Sequence, residues 1–123
     1  MSLQANQTIA NLDIRCAELG RELANVQNMD EKVLNEALAV LEEQGPYAMF
    51  LYVRARHERV ANAFEEHCVR FLREVFVSKI RNNASALDAM KQLADDPNDL
   101  LFVRDLLRNV LGYARYHLKA KGS

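Results

Sequence analysis

Phe50, Val53, His57, Val60, Phe64, Cys68, Phe71 and Val75 recur at intervals of three and four, holding one helical phase for 25 residues. Only a helix puts side chains at that spacing on one face; a strand would need alternation at every second residue. Neither Gly nor Pro occurs between Pro46 and Arg81. The spacing therefore predicts one long helix there, or two that share a phase across a kink near Arg56 to Arg59.

The rest of the chain follows the same rule. Ile9, Leu12, Cys16, Leu19, Leu23 and Val26 make a second unbroken seam, which predicts a helix from about Gln4 to Val26. Gly20 lies inside it and costs about 1 kcal/mol of helix propensity, which a close approach by another backbone would explain. Asp30 is placed to cap the next helix, whose apolar face is Val33, Leu34, Ala37, Leu38 and Leu41. Gly45 then suits a left-handed helix stop, and Pro46 suits the first turn of a new helix because its missing N–H has no helical partner there. "RNNAS" reads as a turn, with Ser85 capping a short helix through about Ala94, and "DDPND" reads as a second turn. Leu100, Val103, Leu107, Val110, Ala114 and Leu118 define a last amphipathic helix. No segment alternates with the period of a strand. The expected architecture is all-α: a compact bundle of five to six helices in a single domain spanning residues 1–123.

Residues with reactive side chains do not converge in the sequence. "HERVA" begins as the zinc motif H-E-x-x-H does, but Ala61 stands where the second histidine is needed. His67 and Cys68 are adjacent, so on a helix they point about 100° apart and do not share a metal. His57 lies on the apolar seam, the place of a hydrogen-bonded boundary histidine. Glu42-Glu43, Glu65-Glu66 and Asp95-Asp96 are consecutive residues, the pattern of solvated surface. The chain also lacks a Gly-rich phosphate loop, a C-x-x-C pair and a nucleophile elbow. A non-catalytic protein without metal or cofactor is expected. No run approaches a membrane span and the first residues do not read as a secretion signal, so a cytoplasmic location is expected, with Cys16 and Cys68 as reduced thiols.

The net charge of −1 hides an uneven layout. Residues 1–45 carry three basic and eight acidic side chains, 46–81 seven and four, 82–99 one and four, and 100–123 five and one. Projected on a single helix, Arg56, Arg59, Arg70 and Arg73 fall within an arc of about 100°, roughly 145° from the centre of the apolar seam. In the last helix Arg104, Arg108, Arg115 and Lys119 form a second line beside the apolar face. Two basic stripes suit a polyanion backbone, which rewards guanidinium forks with evenly spaced phosphates. An ordinary solvated face gives the same pattern, and Glu66 and Glu74 interrupt the first stripe. Tyr113 and Tyr116 stand beside the second stripe, available for stacking on bases or for packing between helices. The acid–base–acid–base layout also suits head-to-tail self-association, an acidic face of one copy against a basic face of the next.

The run "ALAVLEEQGPYAMFLYVRA" (Ala37 to Ala55), followed by "DLLFVRDLLRNVLGYARYHLKA" (Asp99 to Ala120), resembles the small helical subunit of type III CRISPR effector complexes, the Cmr type. Leu38, Leu41, Gly45, Met49, Phe50 and Leu51 stand where that family ends a leucine-rich helix at glycine and restarts into the next. Asp105, Leu107, Val110, Arg115 and Tyr116 stand where its closing helix carries an acid, a leucine row and an aromatic-basic end. The family's proline ahead of the leucines is replaced in the neighbourhood of Ala37, and its tryptophan in the last helix would fall near Gly112. The resemblance implies a non-catalytic antiviral-defence protein whose copies stack along the effector beside the backbone and large subunits. It also implies sequence-independent contacts to guide RNA and target RNA. The alternative that the residues leave open is a helical protein–protein adaptor or regulatory bundle without nucleic-acid contact.

Overall fold

The computed structural model describes residues 2–121, with side chains described from residue 11 onward. Six helices follow one another: α1 (Ser2–Ala24), α2 (Glu31–Gln44), α3 (Pro46–Arg56), α4 (Glu58–Val75), α5 (Ala86–Leu93) and α6 (Pro97–Ala120). No strand occurs among the described residues. The all-α bundle read from the periodicity is the observed architecture, with six helices among the described residues.

Each seam faces a common core. Cys16, Leu19 and Leu23 of α1 are buried, as are Val33, Leu34, Ala37 and Leu41 of α2, and Val103, Leu107, Val110 and Ala114 of α6. Ile9 of the first seam lies outside the residues whose side chains are described. Helix α1 packs along α6, and α2 lies against both α3 and α6. Gly20 explains how α1 and α6 come so close. A Cβ built on it would stand 2.7 Å from Tyr113 Cβ and 2.8 Å from the Ala114 amide nitrogen, so the helix-weakening glycine is where the other backbone passes.

The helix ends follow local chemistry. Asp30 accepts a hydrogen bond from the Val33 amide at 2.9 Å, and Ser85 accepts one from the Asp88 amide at 3.1 Å, each satisfying a first-turn donor that has no helical partner. Helix α1 ends two residues earlier than the spacing suggests, in a turn containing Asn28 at φ 73°. Gly45 stops α2 at φ 96° and ψ 179°. That is the glycine-only extended region with positive φ rather than the left-handed helical region expected from the sequence.

The long helix is two helices. The chain turns at His57 (φ −135°, ψ 54°), between α3 and α4. Phe50 and Phe64 would be about 21 Å apart along one straight helix, yet their ring centroids are 5.8 Å apart. Contacts distant in sequence hold the corner. Arg54 donates to both carboxylate oxygens of Glu65 at 3.1 and 2.7 Å, and His57 Nε2 stands 2.8 Å from Glu36 Oε1 of α2. The same Glu36 oxygen accepts from the Tyr52 hydroxyl at 2.8 Å. These bonds, from His57 first and Tyr52 second, hold the Glu36 carboxyl below its ordinary pKa. A carboxylate with a depressed folded-state pKa contributes stability that is present above its unfolded value and lost as pH falls through the folded one. Glu36→Gln is therefore expected to flatten the acid-side fall in stability below pH 4.5, as read by urea midpoints measured between about pH 5 and pH 3.

Candidate nucleic-acid interface

The corner at His57 divides the first basic stripe. Arg56 ends α3, while Arg59, Arg70 and Arg73 belong to α4, and Arg81 lies in the loop of residues 76–85. The single-helix arc drawn through Arg56, Arg59, Arg70 and Arg73 is thus replaced by an α4 face with Arg56 beside its first turn. On α4, Arg59 and Arg70 lie about 17 Å apart along the axis and within about 20° of one another. Arg56, Arg59 and Arg70 are all exposed, and among the described residues none of the three forms an ion pair. Arg56, His57 and Arg59 line a hollow with Asn28 and Asp30. Farther along α4, Asn62, Glu66, Arg70 and Arg73 line a groove of about 390 Å³ against Asn82, Asn83 and the start of α5.

Arg73 has a different task. Its Nη2 donates to the carbonyls of Arg81 at 3.2 Å, Asn82, and Ala84 at 3.4 Å. One guanidinium thereby gathers the peptide oxygens of the loop that leads into α5. All three contacts come from Nη2, whose two N–H groups are shared among the three carbonyls, while Nε has no hydrogen-bond partner among the described residues. The partners of Arg73 are supplied by the fold, so the arginines that the α4 face leaves exposed are Arg59 and Arg70, with Arg56 next to them.

The second stripe is largely covered from within. Arg104 donates to the Glu42 carbonyl, and Arg108 donates to the Glu42 carboxylate and, at 2.8 Å, to Asp105. Glu42 belongs to the last turn of α2, where carbonyls lack helical partners and the helix dipole favours a cation. At the other end Lys119 Nζ stands 3.9 Å from Glu31. The acidic α2 and the basic α6 therefore meet antiparallel inside one chain, a complementarity the charge layout could equally have placed between copies. Arg115 is half-buried and its Nε has no hydrogen-bond partner.

Two cross-links were not legible as such in the sequence. Arg15 donates to both oxygens of Glu74 at 3.1 and 3.0 Å and to Glu18 at 2.6 Å, joining α1 to α4. The Glu74 that interrupts the first stripe in projection is thus drawn toward α1. Arg54 and Glu65 join α3 to α4 in the same bidentate way, and both arginines have raised pKa values because of their carboxylate hydrogen bonds. Charge alone could have suggested such pairs, but their separations in sequence gave no signal of which carboxylate meets which arginine.

The tyrosines divide as well. Tyr113 is half-buried, its ring root against Gly20, and its hydroxyl donates to Asp13 at 3.0 Å. Tyr116 is 72% exposed. His67 Nδ1 lies 3.2 Å from Glu22 Oε1, within ion-pair reach but outside hydrogen-bond geometry. Cys16 and Cys68 are buried free thiols, and burial pushes the Cys16 thiol up to about 11 and Cys68 higher still. Thiols so placed stay protonated and are poor nucleophiles. Among the described residues no group of three or more His, Cys, Asp or Glu is arranged to hold a metal ion, and no helix is long and apolar enough to cross a membrane. Compared with protein-family models, with curated proteins and with solved structures, the chain matches none.

Proposed function

We propose that this protein is a non-catalytic small subunit of a type III, Cmr-like CRISPR ribonucleoprotein effector. In this reading its copies stack along the complex, in contact with the backbone and large subunits. The outer face of α4 borders the guide RNA–target RNA duplex and touches its phosphates without reading sequence. The observation that carries the proposal is the exposure of Arg56, Arg59 and Arg70 without ion-pair partners among the described residues, in a molecule where Arg15, Arg54 and Arg108 are held by carboxylates. Unneutralised arginines that meet phosphates release condensed counterions, which supplies sequence-independent affinity. The order of the helices adds support, because the Gly45-Pro46 corner and the α6 leucine row occupy the places that the resemblance assigns them.

Exposed apolar side chains stand elsewhere on the molecule. Val77, Leu101 and Phe102 are exposed near the end of α4 and the start of α6, where the Phe76 and Phe102 rings stand 5.8 Å apart. Exposed apolar side chains grouped in this way suit contact with a neighbouring subunit. They suit an adaptor bundle equally, so the discriminating partner is RNA. Gentle affinity purification of the tagged protein from its native cell, followed by sequencing of retained RNA, is the test. The expected result is a ladder of partner subunits with short RNAs that share a repeat-derived end. Recovery of protein partners with no RNA at low salt would instead establish the adaptor reading.

A further inference from the structure

Gly112 lies within α6, yet it has no packing reason to be glycine: a Cβ built there meets nothing within 4 Å. Glycine is the poorest helix former after proline, so a position with open space above it would be better filled by almost any other residue. What its bareness creates is a hollow of about 90 Å³ bordered by Arg115, Tyr116 and Lys119. On a helix these are the i, i+3, i+4 and i+7 positions of one face.

The three bordering side chains share an unusual state. The Tyr116 ring is 72% exposed and forms none of the aromatic pairs that Phe64 and Phe102 form. Arg115 leaves its Nε without a hydrogen-bond partner among the described residues, as Arg73 and Arg104 do, but unlike theirs its other nitrogens take up no carbonyl there. Lys119 keeps only a loose approach of 3.9 Å to Glu31, with both side chains about half exposed or more, so it can turn to a new anion at little cost.

We propose that this face of α6 is a stacking platform for an unpaired nucleobase, which lies on the Tyr116 ring over Gly112 while Arg115 and Lys119 hold the flanking phosphates. A flat apolar ring between two cations matches the alternation of base and phosphate in a single strand. A duplex does not fit, because its bases are stacked on one another and present no free face. Glycine at position 112 gives the base room to approach the helix backbone. The inference shares an RNA partner with the proposed function but uses a different helix and a single-stranded element, so the two can fail separately.

The test is titration of the full chain into a short single-stranded RNA carrying 2-aminopurine, whose fluorescence falls when the base stacks on an aromatic ring. Wild type is expected to quench it. Tyr116→Ala is expected to bind about tenfold more weakly with the quenching lost, and Tyr116→Trp to retain both. Gly112→Leu, which fills the hollow, is expected to behave like Tyr116→Ala while keeping the wild-type circular dichroism spectrum. Equal quenching by wild type and Tyr116→Ala, or none by wild type, overturns the platform. Quenching absent beside intact duplex binding removes this inference alone, whereas loss of binding to both RNAs also removes the RNA reading of α4.

Discussion

Gly20→Ala is expected to destabilise the protein by about 2 kcal/mol, although alanine is the better helix former by about 1 kcal/mol. The new methyl group would stand 2.7 Å from Tyr113 Cβ, 2.8 Å from the Ala114 amide nitrogen and 3.0 Å from the Tyr113 carbonyl carbon. Two of those three atoms are backbone, so no rotamer change relieves the clash. Helix α6 has to move away from α1, loosening the contacts of Cys16, Leu19 and Leu23 with the core. Thermal unfolding should show a Tm roughly 5–10 °C lower than wild type. Gly112→Ala is the matched comparison: its Cβ meets open space, and the variant should gain up to about 1 kcal/mol from helix propensity alone. If Gly20→Ala melts at or above the wild-type temperature, α1 and α6 do not cross at that position.

Arg59→Glu/Arg70→Glu should lower RNA-duplex affinity at least about tenfold at moderate salt, since two phosphate contacts become two repulsions. Both side chains are exposed and form no ion pair among the described residues, so the fold should be unaffected and the melting curve nearly superimposable. Arg104→Gln/Arg108→Gln removes the same number of positive charges from the other stripe. Its side chains already serve Glu42, so the expected result is nearly unchanged RNA affinity with a stability loss below about 1 kcal/mol per exposed pair. Arg59→Gln/Arg70→Gln changes the net charge by the same two units as Arg104→Gln/Arg108→Gln, so comparing these two separates a local interface from a general effect of net charge: a purely nonspecific attraction would weaken equally in both.

The apolar periodicity carried the helices because each seam is local: Leu19 and Leu23, or Val103, Leu107 and Val110, announce their shared face within two turns. The Gly45-Pro46 corner was legible for the same reason, and the Gly20 approach followed from a cost that only tertiary structure could offset. The corner at His57 was not decidable. It preserves helical phase, contains neither Gly nor Pro, and is fixed by Glu36 and by the Arg54–Glu65 pair, partners brought together by folding. The basic stripes show the same divide. Their spacing placed Arg104 and Arg108 on one line correctly, but whether that line meets solvent depends on Glu42, more than 60 residues away. Arg73 reads as surface charge in projection and is spent on loop carbonyls in three dimensions.

The salt dependence of binding to a guide-length RNA duplex tests most directly whether α4 borders RNA. For the wild-type chain the logarithm of the association constant should fall linearly with the logarithm of salt concentration, and for Arg59→Glu/Arg70→Glu the slope should be smaller by about two. A wild-type slope near zero, or the same slope in both proteins, would contradict the assignment of the α4 arginines to RNA phosphates.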